Sequence, residues 1–267
     1  MGNPLKNPIR LLKQTLGQIA TKLADSINSN QLHNGRTASE PAAQECSVAS
    51  SIRWLEHNRL ERMDATVEIF NPLRREFHLD RYRFAAERVN GKNVLDCACG
   101  TGYGVRLLKE AGGAAKVVGV DVDDQAVAYA RRRHQVDLTA FICASGDSLP
   151  MPAGSLDIVT SFETVEHVPD DASLIKEFHR VLRPQGVLII STPNQWPLKE
   201  TPFHVREYNR KTFVDLLEAY FGCVEFYNQN SGSSTPYNHD QARGIVVTTA
   251  ENEHLAECYL AVCQRRS

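Results

Sequence analysis

Apolar residues return near the N-terminus at alternating steps of four and three, as Leu5, Ile9, Leu12, Leu16, Ile19 and Leu23, with Lys6, Arg10, Lys13 and Lys22 between them. This spacing predicts an amphipathic helix over residues 1–25. So narrow a seam suits a homo-oligomer contact of the coiled-coil kind, while the basic face suits peripheral attachment to an anionic membrane surface; a helix packed on its own domain or frayed in solution fits equally. Periodicity then stops. Residues 26–51 are rich in Ser, Asn, Gln and Ala, and read as a mobile linker. Helical spacing resumes with Trp54, Leu55 and Leu60, and again through Leu79, Tyr82, Phe84 and Val89, which predicts a helical cap over residues 52–90.

Beyond residue 91 the pattern changes to short apolar runs at Val94 to Cys97, Val117 to Val120, Leu138 to Cys143, Leu156 to Ser161 and Val187 to Ser191. Helix-like segments follow Tyr103, Asp124 and Asp171, and the crossover between the third and fourth runs is short or irregular. Such alternation predicts an α/β domain over residues 91–267, a Rossmann-like, mostly parallel sheet with helices on both faces. A helix from Arg210 to Tyr220 and an antiparallel pair made by Cys223 to Tyr227 and Leu255 to Cys263 close the chain. Between those strands, Asn228 to Arg243 is polar and without period, a long connection of the kind that is functional or disordered.

Composition narrows the function classes. With 267 residues and 42% hydrophobic content the chain can bury a sizeable core. Its 30 basic residues nearly balance 32 acidic ones, so no global field favours nucleic acid, and no nucleic-acid partner is expected. Seven cysteines without a Cys-x-x-Cys pair argue against a disulfide framework or a zinc site, and Cys97 and Cys99 read as small apolar packing residues. No apolar run approaches the roughly 20 residues that span a bilayer, and no continuous signal-peptide core is present. Lys6 occupies the Ser/Thr position of a myristoylation pattern. The expected location is cytoplasmic, with peripheral attachment at the inner membrane face left open by the first helix.

The candidate chemistry gathers at strand ends. Val94-Leu-Asp-Cys-Ala-Cys-Gly-Thr-Gly-Tyr-Gly104 is a strand running into a glycine-rich turn at a helix start, a place where backbone approaches a nucleotide-like ligand. Val105 stands where the dinucleotide fingerprint needs its third glycine. Asp96 beside the loop would repel a pyrophosphate but attract a ligand carrying an ammonium and a sulfonium, a description that fits S-adenosylmethionine better than NAD. Asp121, ending the second strand, can accept from both hydroxyls of a ribose, with Val122 against the adenine face; Asp123 and Asp124 serve the next helix start. Glu163, Glu166 and His167 stand at i, i+3 and i+4, and would share one face if that stretch is helical. An imidazole there suits a general base, an oxygen-rich site with one imidazole suits a divalent cation, and a merely structural role fits as well.

These stretches, together with Val118-Gly-Val-Asp-Val122, Ser145-Gly-Asp-Ser-Leu-Pro150, Ser161-Phe-Glu-Thr-Val-Glu-His-Val168 and Val181-Leu-Arg-Pro-Gln-Gly-Val-Leu-Ile-Ile-Ser-Thr-Pro-Asn194, resemble class I S-adenosylmethionine-dependent methyltransferases. The resemblance runs from about residue 61 to the C-terminus. It implies S-adenosyl-L-methionine held by Asp96, Gly100, Gly102, Asp121, Val122, Gly146, Asp147, Ser148 and Phe162, with Asp147 receiving the adenine amino group; an Asx-turn is the competing role for that residue. It implies pre-core helices that cover the cofactor and help form the acceptor pocket. The Glu-x-x-Glu-His spacing is similar to ubiquinone-pathway O-methyltransferases, where it is associated with a divalent cation at Glu163, Glu166 and His167. The segment Pro202-Phe-His-Val-Arg-Glu-Tyr-Asn209, together with Ser161-Phe-Glu-Thr-Val-Glu-His167 and Phe77-His-Leu-Asp-Arg-Tyr-Arg-Phe84, is similar to bacterial methyltransferases associated with surface-polysaccharide and glycan modification. His167 and His204 are the catalytic candidates, and Arg206 either forks an anion or pins its loop to Glu207. The implied function is methyl transfer to a hydroxyl of a sugar or glycan-linked acceptor; a cation-assisted phenol or quinone O-methyltransferase and a non-catalytic, methyltransferase-like partner subunit are the alternatives.

Overall fold

A computed structural model describes residues 52–58, 62–195, 203–232 and 242–266. The chain divides into two compact units, Met1–Arg53 and Trp54–Ser267, and the architecture is that of the second. The predicted amphipathic helix and the linker lie outside the described residues. A helical turn at 52–57 is followed by α1, Pro72–Ala86, which starts where Asn71 accepts hydrogen bonds from the amides of Leu73 and Arg74 and where Pro72 needs no partner for a missing N–H.

The core then alternates as predicted: β1 (Asn93–Cys97), α2 (Tyr103–Glu110), β2 (Lys116–Asp121), α3 (Asp124–His134), β3 (Thr139–Cys143), β4 (Leu156–Phe162), α4 (Asp171–Val181), β5 (Leu182–Pro193), α5 (Arg210–Glu218), β6 (Cys223–Asn230), β7 (Gly244–Val247) and β8 (Cys258–Gln264). These strands form one sheet in the order β3-β2-β1-β4-β5-β8-β6-β7. The first five pair in parallel, while β8 runs antiparallel between β5 and β6. Strand β7 was not foreseen. It follows directly on the polar Asn228 to Arg243 connection and pairs with β6, leaving Val246 and Val247 exposed at the edge of the sheet. The fifth strand is also longer than its apolar run: it starts at the buried Leu182, which pairs with Leu156, and passes through exposed residues 183–185 before pairing with β4 resumes at Val187.

Period-two alternation distributes the sheet between two cores. Val94, Val117, Ile158 and Ile189 face α2 and α3 residues such as Val105, Leu108 and Val127. Leu95, Val120, Val159, Leu188 and Ile190 face Leu174 and Phe178 of α4 and Phe213 and Leu217 of α5. Because β1 pairs with both β2 and β4, the strand order reverses there, and the crevice beyond the carboxyl ends of those strands is the expected ligand position.

The segment before α1 is fastened to this core by one buried carboxylate. Asp64, with no exposed surface, accepts from the amide and hydroxyl of Thr66, from the Tyr129 hydroxyl at 2.9 Å and from Nε2 of His134 at 2.7 Å. Burial alone would raise its pKa. The hydrogen bond and charge of His134, with the Thr66 donors, outweigh that and bring it from 3.8 down to about 2. A depressed carboxylate contributes stability that is full above its unfolded value of 3.8 and is lost as the pH falls through about 2. Replacing Asp64 by Asn should therefore cost on the order of 2 kcal/mol at pH 7. By pH 3 the difference between the two proteins should shrink by roughly half, and equal losses at both pH values in urea titrations would contradict this account.

Candidate functional site

The glycine-rich turn is wound by residues in the left-handed region: Ala98 at φ 60°, Gly100 at 53° and Gly102 at 86°. Gly102 caps α2, and a Cβ there would lie 2.6 Å from Cβ of Ala130 and 2.7 Å from the Phe141 ring, so both the backbone and the space demand glycine. Gly100 differs, since a Cβ there would meet nothing within 4 Å among the described residues; the turn leaves room on that side. The Gly100 amide donates to Oδ2 of Asp121 at 2.8 Å, and the Thr101 hydroxyl donates to the Met63 carbonyl at 2.7 Å. The turn is thus tied on one side to the end of β2 and on the other to the cap.

Asp121 is the last residue of β2, and its other oxygen accepts from the Asp123 amide at 3.0 Å. One donor on each oxygen leaves outward lone pairs for a pair of hydroxyl donors, the chemistry a ribose needs. Val122 beside it is 73% exposed, an apolar face with no cover of its own among the described residues. Asp123 caps α3 through the amides of Gln125 and Ala126, so Asp121 is not needed as the helix cap. Beyond β3, Asp147 and Ser148 are exposed and Gly146 is packed so tightly on Leu174 and Cys97 that a Cβ would come within 2.8 Å of the leucine. The only hydrogen bond across this turn among the described residues joins the Ser148 amide to the Ser145 carbonyl, so no Asx-turn accounts for Asp147.

Asp96 sits inside β1 and is almost fully buried, accepting from the Thr160 hydroxyl at 2.7 Å and the Tyr82 hydroxyl at 3.1 Å. Burial foremost raises its pKa; the two hydrogen bonds oppose this and the charge of Asp121 adds to it, leaving Asp96 at about 7. Tyr82 belongs to α1 and packs edge-on against Phe162 and Tyr103 and over Gly104. The cap therefore lays an aromatic ring over the turn. Sequence reasoning placed Tyr82 in the apolar stripe of the helix but gave it no role; a tyrosine within such a stripe, whose hydroxyl must find a buried partner, was the available signal.

Glu163, Glu166 and His167 do not share a helix face. Glu163 has φ 52°, which breaks the chain direction after β4, and a single 3₁₀ turn, Val165–His167, follows. Glu163 is drawn aside by the buried guanidinium of Arg81 at 3.3 Å. Glu166 is buried beneath the strand ends, with Oε2 accepting from the Thr192 hydroxyl at 3.1 Å and Oε1 left without a partner. Burial, then the charge of Glu163, pushes its pKa well above the carboxylate range. His167 directs Nδ1 to the Phe203 carbonyl at 3.0 Å, and since a carbonyl only accepts, that nitrogen carries the proton and Nε2 holds the lone pair, 3.8 Å from Oε1 of Glu166.

The third member is His204 rather than Glu163. Its ring centroid lies 4.7 Å from that of His167, and ligand atoms of Glu166, His167 and His204 fall within 4.8 Å of one another. Burial, with like charge from His167, lowers the pKa of His204. The loop carrying it is seated by the Val205 amide on the Glu166 carbonyl and by Arg206, which pairs with Asp171 and donates to the Pro169 carbonyl. Arg206 pins its loop, then, but to Asp171 instead of Glu207. A separate cleft of about 390 Å³, lined by residues such as Val214, Phe226 and Val247, lies between α5 and the β6–β7 edge and not at this rim.

Residues 95–190 match the methyltransferase domain family. A protein of Mycolicibacterium smegmatis named as a probable S-adenosylmethionine-dependent methyltransferase is 40% identical over 144 residues, which cover 51% of this chain and 54% of that protein. The ubiquinone biosynthesis O-methyltransferase of Sodalis glossinidius is 33% identical over 153 residues, 56% of this chain and 57% of that one. The chain spans about half the length of the curated relatives it matches. Among solved structures, an S-adenosylmethionine-dependent methyltransferase of Thermotoga maritima shares the fold with a TM-score of 0.59 at 16% identity, covering 82% of this chain and 96% of that one. Residues 95–190 therefore carry a methyltransferase domain, set in a fold shared with solved S-adenosylmethionine-dependent methyltransferases.

Proposed function

We propose that this protein transfers a methyl group from S-adenosylmethionine to a hydroxyl oxygen of its acceptor. The observation that carries the reading is the placement of Asp121 and the glycine turn beside a rim holding an imidazole with a fixed tautomer, His167. Asp121, Val122, Gly146, Asp147 and Ser148 would hold the adenosine, while Asp96, Gly100, Gly102 and Phe162 would surround the methionyl end. The cofactor supplies a methyl group already activated on a positively charged sulfur. What remains for the chain is alignment and one proton. Nε2 of His167 takes the proton of the acceptor hydroxyl, while the Phe203 carbonyl at Nδ1 and the His204 ring keep the imidazole in place.

The acceptor reading that follows from the sequence is a sugar or glycan-linked hydroxyl, supported by the polar side chains of the rim. A second reading is favoured by a specific observation: the orphaned Oε1 of Glu166 lies in a Glu/His/His set that suits a divalent cation, and one relative is named a ubiquinone biosynthesis O-methyltransferase. In that case Glu166, His167 and His204 would hold the ion, which lowers the pKa of a phenolic hydroxyl, and Glu163 would stay with Arg81. Transfer to catechols that stops with chelator and returns with Mg²⁺ or Mn²⁺ supports the second reading. Transfer to sugar hydroxyls unaffected by chelator supports the first. Calorimetry decides between either enzyme and a non-catalytic partner subunit, because a chain that takes up no S-adenosylmethionine cannot be the transferase.

Three substitutions test the assignments. Asp121→Ala should weaken S-adenosylmethionine about a hundredfold, as expected for losing two charge-assisted hydrogen bonds. Asp96 attracts a cation only when ionised, so cofactor affinity should fall as the pH drops below about 7, and Asp96→Asn should flatten that profile. A dissociation constant of the native protein that does not move between pH 6 and 8 would remove Asp96 from cofactor binding. His167→Gln should lower kcat by about 10²- to 10⁴-fold at saturating acceptor, measured as release of S-adenosylhomocysteine; an unchanged kcat would return His167 to a structural role.

A further inference from the structure

Gly104 takes no part in the left-handed winding of the turn, yet no side chain fits there. It lies in the first turn of α2, where a Cβ would fall 2.0 Å from Cε1 and Cζ of the Tyr82 ring and 2.6 Å from its hydroxyl oxygen. The same ring meets Tyr103 edge-on, with centroids 5.3 Å apart, and Phe162 at 5.0 Å. Backbone on one side and two aromatic rings on the others fix the phenol in place. A residue of α1 is thereby built into the junction between the glycine turn and the end of β4.

Its hydroxyl reaches Asp96. That carboxyl accepts from Thr160 on Oδ1 and from Tyr82 on Oδ2, and is only 1% exposed. A carboxyl covered so completely gives an arriving ligand no open approach, and clearing the way would unpack the phenol from Gly104, Tyr103 and Phe162 at once. Tyr82, at 6%, is the more accessible of the two. Its oxygen donates one proton to Asp96 and receives no hydrogen bond among the described residues, so its lone pairs remain for a ligand. A hydroxyl that donates to a carboxylate is polarised by it and becomes the better acceptor. The charge of Asp96 is in this way relayed one residue outward.

We propose that Tyr82 is a cofactor-binding residue supplied by the cap: its phenolic oxygen accepts from the methionyl ammonium, and Asp96 acts through it as a positioning residue. The proposal deepens the methyl-transfer reading and rests on it. It is tested by calorimetry on the full chain at pH 8, where Asp96, at about 7, is ionised, with two probes: S-adenosylhomocysteine and its analogue with hydrogen in place of the amino group. The native protein should bind the first at least about tenfold more tightly, the worth of one hydrogen bond to a charged group. Tyr82→Phe keeps the ring over Gly104; it should abolish the preference while affinity for the deaminated analogue stays within about twofold. Asp96→Asn should abolish the preference too, and the double variant should lose no more than either single one, because both residues lie on one path to the ligand. Asp96→Asn carries the test alone if Tyr82→Phe does not fold. Absence of the preference in the native protein, its survival in either variant, or losses that add in the double variant overturns the proposal. So does an equal loss of both probes in Tyr82→Phe, which is what a role confined to packing would give. Failure of the native chain to bind either probe would instead overturn the transferase reading, so the two failures are separable.

Discussion

Backbone that winds through the left-handed region without regular pairing keeps its shape only if its polar groups find fixed partners, and at the end of β1 that partner is Asp121. Its Oδ2 takes the Gly100 amide and its Oδ1 the Asp123 amide, so one carboxylate at the end of β2 organises both the turn after β1 and the start of α3. The parallel pairing of β1 with β2 sets Asp96 level with Gly119, two residues short of Asp121. Sheet register, turn geometry and ligand chemistry therefore converge on the same side chain. The hydrogen bonds that immobilise it also orient its remaining lone pairs, which is what preorganisation means in physical terms.

The cap extends this order outward. Met63 receives the Thr101 hydroxyl, Asp64 binds Tyr129 and His134 of α3, Arg62 pairs with Asp123, and Tyr82 reaches Asp96. Each contact joins a residue upstream of β1 to β1 itself, to the glycine turn or to α3 and its cap. On the opposite side of the crevice, the loop after β5 is tied by Arg206 to Asp171 and by Val205 to Glu166. The rim is thus built between two irregular segments, both of which are fastened to regular elements by buried or charge-assisted hydrogen bonds.

What could be read from the sequence follows from what repeats. The five parallel strands announce themselves as apolar runs because both faces are buried, and the turn at Gly100 and Gly102 announces itself because no side chain fits Gly102. Strand β7, only four residues long on a sheet edge, was missed although Ile245, Val246 and Val247 form a short β-branched run. The rim misled for a different reason. Spacing of i, i+3 and i+4 implies a common face only in a helix, and the positive φ of Glu163 cannot be anticipated from glutamate, which seldom adopts it. His204 is 37 residues from His167, and their meeting depends on the path of a loop, which no local pattern encodes.

Electrostatics explains why those irregular pieces are arranged as they are. Asp96 and Glu166 are carboxyl groups held in low-dielectric surroundings at a cost that ordinary folding would remove by substituting an amide or an apolar residue. Under the proposed function, a sulfonium-bearing ligand near Asp96 or an ion near the unpartnered oxygen of Glu166 would relieve that cost. Across the same crevice, the buried guanidinium of Arg81 is matched by Glu163. Under the proposed methyl transfer, a positively charged donor would lie at the β1–β2 end, where its charge would lower the cost of burying Asp96.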